Sequence, residues 1–384
     1  MIASGRPVYP LLAGVLVALL LSGGGPTASA VAASDPPYRI IGYVTGGTDI
    51  SDVDAEKLTH VNYAFATVTE DHTITFPDED APGHLAQLQA LKAHNPDLKI
   101  LVSVGGWGAK NFTDAALTDS SRATFAESAL EMVKRYGLDG VDIDWEFPGQ
   151  AVGGIEARPE DERNFTLLLR ELRTRLDSLS EERGRVGDDR YLLTIASNDD
   201  EAYFEHTEME KVHPLLDFIN VMTYDFFSVG SATTGHHTGL YRSAHEDAPP
   251  RTAAAGIERH LDAGIPPEKL TMGVAFYGRA WSGVEPARNG LHQPFDDFAG
   301  FIPYETLVED YLYDRGYERH WDESAKAPYL WAPDSAKFVS YENPRSLRHK
   351  TRYIREKDLG GVMYWEHSLD YREVLHDVLY ERLR

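Results

Sequence analysis

The sequence predicts an α/β protein, a parallel (β/α)8 or TIM barrel with a small α+β subdomain inserted between its seventh and eighth strands. Three observations carry that expectation. Eight short apolar, β-branched runs alternate with longer stretches of helical period. No Gly-rich phosphate turn follows the first run, as a doubly wound sheet would show. One connection, Trp281 to Tyr341, is about 60 residues long, where a βα unit needs only a loop and one helix.

Taken in chain order, Arg6 gives a weakly positive start, and Leu11 to Ser22 is an apolar run too short for a stable membrane span. Ala28-Ser29-Ala30 fits a small-x-small cleavage site. Residues 1–30 therefore read as a secretory signal peptide, and the catalytic barrel is expected over 36–384. The predicted strands are Arg39 to Thr45, Leu58 to Ala66, Leu98 to Val104, Leu138 to Asp144, Tyr191 to Ser197, Asp217 to Tyr224, Leu270 to Tyr277 and Leu359 to Trp365. The clearest helix is Ser121 to Tyr136, with Ser120 placed to cap its start and Gly137 to end it. Glu162 to Asp177, Ala253 to Ala263, Ser346 to Glu356 and Tyr371 to Leu383 share its apolar spacing. The insertion, placed at 282–341, is rich in aromatics, among them Phe295, Phe298, Phe301, Tyr329, Trp331 and Phe338. Such rings build the core of a small subdomain, and flat rings also suit the apolar faces of sugars.

Composition narrows the function. The chain of 384 residues carries 37 Lys and Arg against 61 Asp and Glu, a net charge of -24, and no cysteine. Acidity on this scale excludes phosphate-driven binding of nucleic acid and attraction to an anionic membrane. Absence of cysteine excludes disulfides, thiolate metal sites and a thiol nucleophile. No second long apolar stretch follows the leader, so no membrane association is expected after cleavage, and the chain is expected to act as a monomer.

The chemistry concentrates in Asp139-Gly140-Val141-Asp142-Ile143-Asp144-Trp145-Glu146. Alternate residues of a strand share a face, so Asp142, Asp144 and Glu146 point one way and Val141, Ile143 and Trp145 the other. With the apolar set against the helices, the carboxylates face the barrel axis and Glu146 emerges at the C-terminal mouth, where such barrels hold their active sites. Same-face Cα atoms lie roughly 6.6 Å apart, too close for all three acids to ionise at their reference values. At least one proton is retained near neutrality, as general acid catalysis requires. His236 and His237 have no third ligand at a useful spacing, so neither a metal nor any other cofactor is expected.

These residues resemble glycoside hydrolase family 18, whose DxxDxDxE signature is filled by Asp139, Asp142, Asp144 and Glu146. Ser103-Val104-Gly105-Gly106-Trp107 at the end of the third predicted strand is similar to the family's SxGG element. Met222-Thr223-Tyr224-Asp225-Phe226 at the sixth is similar to its MxYD element, and Gly360 to Trp365 supplies the eighth. The resemblance covers nearly everything from Tyr38 to the end of the chain. It implies a retaining glycosidase in which Glu146 is the acid and the substrate's own N-acetyl oxygen attacks the anomeric carbon. Asp144 would accept the acetamide N–H, with Asp142 sharing a proton behind it, and Tyr224 would hold the acetyl oxygen. Asp225, Arg279 and Met222 would bind the reacting sugar above a floor made by Trp365. Trp107 would stack on the leaving side, Gly106 of the SxGG element would also bind substrate, and Tyr43 and Ser103 would support Asp142 from beneath.

The expected function is a secreted, extracellular chitinase cutting β-1,4 bonds between N-acetylglucosamine units of chitin or chitooligosaccharides. An endo-β-N-acetylglucosaminidase acting on N-glycans shares the signature. A chitin-binding lectin is the reading from a different class, and the presence of Glu146 argues against it.

Overall fold

All eight apolar runs form strands, covered on both faces as a parallel sheet sheathed in helices requires. A computed structural model describes residues 38–246, 251–314 and 316–384; the leader expected at 1–30 lies outside them. The strands of the chain are β1 (Arg39–Thr45), β2 (His60–Val68), β3 (Ile74–Thr75), β4 (Lys99–Gly105), β5 (Gly140–Asp144), β6 (Leu192–Ser197), β7 (Phe218–Val221), β8 (Leu270–Ala275), β9 (Tyr277–Ser282), β10 (Asp297–Pro303), β11 (Glu318–Asp322), β12 (Ala327–Ala332), β13 (Lys337–Ser340) and β14 (Gly361–Trp365). β1, β14, β8, β7, β6, β5, β4 and β2 pair in that order, all parallel, and β1 also pairs with β2. That closes an eight-stranded barrel and bears out the predicted fold class. The two-residue β3 is appended to β2 in antiparallel sense.

Between β8 and β14 runs a second, antiparallel sheet of order β10-β9-β13-β12-β11. It begins at Tyr277, a residue that the sequence pattern assigns to the seventh barrel strand. Trp281, Val284, Leu291, Tyr329, Trp331 and Phe338 are buried together, with Phe295 and Phe298 packed against them. Many of the aromatics of this stretch are thus its own core.

The helix expected at Ser121 spans Asp119–Tyr136, and its cap is Thr118, not Ser120. Thr118 Oγ1 accepts from Ser121 N at 3.0 Å while Ser121 Oγ accepts from Thr118 N at 3.0 Å, a reciprocal capping box. Gly137 ends the helix with φ 65°, a left-handed position that glycine adopts without strain. Thr118→Ala should therefore lower unfolding stability by ~1 kcal/mol in a denaturant titration, and an unchanged midpoint would count against the cap.

The motif strand is divided by its pleat. Val141 and Ile143 are fully buried on the helical side, and Trp145 stacks on Phe112 with centroids 5.3 Å apart and planes at 10°. Asp139, one residue before β5, closes the opposite end of the barrel from the cleft. It accepts from Lys92 Nζ at 2.6 Å, from Arg185 Nη2 at 2.9 Å and from the backbone N of Ile100 at 2.9 Å. Among the described residues no helix is long and apolar enough to cross a membrane.

Candidate active site

The C-terminal ends of the barrel strands open into a cleft of about 550 Å³, lined among others by Tyr43, Trp107, Asp144, Glu146, Met222, Tyr224, Asp225, Arg279 and Trp365. Nine residues singled out from the sequence are thus brought together. Ser103 and Gly106 lie behind the lining. Gly105 and Gly106 are where the backbone must pass closely: a Cβ on Gly105 would meet Asp144 O at 1.9 Å, and one on Gly106 would meet the Phe65 ring at 2.7 Å. Both have positive φ, 131° and 92°, which glycine tolerates. Gly106 thereby seats Phe65, whose ring stacks on Trp365 at 5.4 Å and 16°. Non-proline cis peptide bonds occur at Ala64–Phe65, Glu146–Phe147 and Trp365–Glu366.

Asp142 is fully buried at the base of the cleft. Its Oδ2 accepts from Tyr43 Oη at 2.8 Å and Ser103 Oγ at 2.7 Å, and its Oδ1 from Thr194 Oγ1 at 2.5 Å and Asn220 Nδ2 at 3.3 Å. Burial raises its proton affinity and the four donors work against that rise, leaving it above the ordinary aspartate value. Above it, Asp144 is buried with Oδ1 unpartnered. Burial first, then the charges of Glu146 and Asp142, push Asp144 well up. Glu146 follows the strand end; burial and then the charge of Asp225 push it up to about 8.

Asp225 is held differently. Arg279 grips it with two bonds of 2.7 Å, Tyr277 Oη donates at 2.9 Å, and His237 Nδ1 lies 3.5 Å away. Burial opposes its charge, but His237 and the Arg279 guanidinium outweigh burial and hold it well below the usual range. Its φ of 60° is left-handed, which aspartate adopts more readily than most residues. Tyr224 is buried with its hydroxyl 3.7 Å from Met363 Sδ, and burial followed by the charge of Asp144 raises its proton affinity well above that of free tyrosine.

The rims are aromatic. Trp107 follows β4 and is 66% exposed, while Phe298 and Phe301 lie on β10 beyond β8. β4 and β8 are four strands apart in either direction round the barrel, so these rings face each other across the cleft. β10 pairs with β9 through a bulge between Phe298 and Gly300. A regular pleat would send residues three apart to opposite faces; the extra residue lets Phe298 and Phe301 both line the cleft. Arg279 lies 5.8 Å from the Phe298 ring and 5.9 Å from that of Phe301.

Sequence reasoning missed Thr194 and Asn220 beneath Asp142, and Phe65, Phe147, Asn198, Asp200 and Arg251 in the lining. For the first two a signal exists: each is a polar residue inside a buried apolar strand, and Thr194 is in register with Asp142. Arg251 follows residues 247–250, which lie outside the described ones, and pairs with Asp199. His236 lies 3.2 Å from Asp322 and His237 against Asp225; among the described residues no three such side chains are grouped to hold a metal.

Residues 39–370 match the family described as Glycosyl hydrolases family 18. Chitinase A1 of Niallia circulans is 36% identical over 91% of this chain, which spans 59% of that protein's length. Chitotriosidase-1 of Mus musculus is 35% identical over 83% of the chain and 68% of its own. A solved structure of a glycoside hydrolase family 18 N-acetylglucosaminidase from Paenibacillus barengoltzii superposes with a TM-score of 0.83 at 42% identity, covering 90% of this chain and all of that one. The barrel, the cleft at its mouth and the match along nearly the whole described chain agree: the chain belongs to the glycosyl hydrolases of family 18.

Proposed function

We propose that the chain is a secreted, monomeric chitinase that cleaves β-1,4 bonds between N-acetylglucosamine units with retention, using the substrate's N-acetyl group as nucleophile. One observation carries the mechanism: of the carboxylates lining the cleft, Asp144 and Glu146 alone make no hydrogen bond to another described residue, while the others are committed. Asp225 is clamped by Arg279 and Tyr277, and Asp200 accepts from Tyr203 N and Asn198 Nδ2, each at 2.9 Å. A Glu146 raised to about 8 is protonated at neutral pH and can give its proton to the glycosidic oxygen. The buried, unpartnered Oδ1 of Asp144 suits an acetamide N–H. The acetamide oxygen then closes on the anomeric carbon as the glycosidic bond breaks, giving an oxazolinium ion whose charge Asp144 stabilises. Water, deprotonated by Glu146, opens that ring and restores the acid. Tyr224 holds the acetyl oxygen, Asp225, Arg279 and Met222 hold the sugar over Trp365, and Trp107 stacks on the departing chain. The leader at 1–30 supports export.

The names of the chitinase relatives favour chitin. The Paenibacillus N-acetylglucosaminidase favours a second reading, release of single N-acetylglucosamine units from a chain end. A time course on chitin hexamer decides between them, run beside an N-glycan. Dimers or mixed lengths at early times are expected; monomer as the sole early product supports the second reading, and cleavage of the N-glycan alone overturns the substrate class.

A further inference from the structure

Three of the four donors to Asp142 are hydroxyls, which can turn and accept instead; the Asn220 amide NH2 cannot. Its own oxygen faces Thr271 Oγ1 at 2.8 Å, so the NH2 faces Asp142 Oδ1 at 3.3 Å and Tyr43 Oη at 3.4 Å. Turning the amide over would set its oxygen against the carboxylate. By donating to Tyr43 Oη, Asn220 also leaves the tyrosine its own proton to give to Asp142 Oδ2 at 2.8 Å. Thr194 Oγ1 completes the set from β6, directly in register with Asp142. Asp142, Thr194, Asn220 and Thr271 are all fully buried, so no bulk solvent substitutes for these bonds.

We infer that Asn220 and Thr194 are positioning residues that hold the negative charge on Asp142 and thereby decide where the proton of the Asp142–Asp144 pair rests during hydrolysis, an inference that rests on the function proposed above. The titratable groups facing Asp142 are Tyr43 from β1, Asp144 above it on β5 and Tyr224 beyond the end of β7. Among the described residues no Lys or Arg bonds to it, so neutral donors from β1, β4, β6 and β7 carry its stabilisation. When the pair holds one proton, Asp144 can surrender it to Asp142 and accept the acetamide N–H. When the pair holds two, Asp144 has no charge to offer and the reaction stops. Removing a donor weakens the singly protonated pair more than the doubly protonated one, because the bond to a charged carboxylate is the stronger, so the second proton binds at higher pH.

The test is the pH profile of kcat/KM on a fluorogenic aryl chitobioside for the wild type, Thr194→Val, Thr194→Ser and Asn220→Leu. Thr194→Val removes the hydroxyl at nearly constant volume. It should move the acid limb up by about one pH unit, the size of one lost hydrogen bond to a charged acceptor, and leave the basic limb of Glu146 in place. Asn220→Leu should move it the same way, and Thr194→Ser should restore the wild-type limb. A merely structural role would lower the melting temperature or the plateau without moving either limb, and an unmoved acid limb in a folded Thr194→Val overturns the inference. If Asn220→Leu does not fold, the Val and Ser pair decides alone. Activity that survives Glu146→Gln in the otherwise unchanged chain would instead overturn the function on which the inference rests.

Discussion

Glu146→Gln is expected to lower kcat on chitin hexamer by on the order of 10³-fold while binding of the oligomer stays within a few-fold of wild type. The substitution keeps the volume and the polar end of the side chain and removes only the transferable proton. Burial and the neighbouring Asp225 hold that proton on Glu146 up to about pH 8. In the proposed mechanism the loss falls on kcat because the acid would act as the glycosidic bond breaks, whereas Trp365, Arg279 and the rim aromatics would bind the sugar in ground and transition states alike. Single-turnover rates beside calorimetric binding give the two numbers. Turnover within tenfold of wild type would remove Glu146 from the mechanism, and loss of binding with kcat intact would make it a recognition residue.

Asp144→Asn is expected to be nearly as damaging, with kcat down by about 10²-fold or more and KM little changed. An amide oxygen can still accept the acetamide N–H, so orientation is partly kept. In the proposed mechanism the negative charge that would face the oxazolinium ion is lost, and an interaction that matters only once that charge develops appears in kcat. The chemistry gives an independent readout: with weaker stabilisation of the intermediate, substrates whose 2-position carries a more electron-rich amide should be hurt least. An equal rate loss for every 2-acyl substituent would show that Asp144 does not face the acyl group.

Much of this was legible because buried parallel strands announce themselves. Runs such as Leu98 to Val104 are mostly apolar and β-branched, and their bounds in the fold shift by a residue or two. Where they fail, a local interaction wins. The run from Asp217 to Tyr224 looks continuous, yet β7 stops at Val221, where Thr223 N turns back to Val221 O at 2.8 Å and leads into the left-handed Asp225. Ser120 and Thr118 are both good caps by residue type, and only the reciprocal bonds with Ser121 choose between them. The motif residues at the candidate site stood out in the sequence because burying carboxylates in a strand that also carries Val, Ile and Trp is costly, and Asp144 and Glu146 do line the cleft. Thr194 was missed because its one signal, a polar residue inside a buried strand, is weak: threonine is an ordinary strand former, and only the register of β5 with β6 sets it beside a carboxylate. Arg251 and Asn198 reach the cleft through the barrel's closure, which no single segment encodes.

The two ends of the motif have separate lives. Asp139 ties Lys92, Arg185 and Ile100 together where the barrel closes, and Glu146 stands at the other end of the same strand. The pattern is thus a clasp and a tool on one handle, and the two are separable by a single codon. A chain that keeps the clasp and loses the tool remains a closed barrel with an aromatic-rimmed cleft at its mouth. Conversion from hydrolase to lectin is therefore a short step in this architecture, whereas the reverse demands that a proton be held in place by the whole column beneath it.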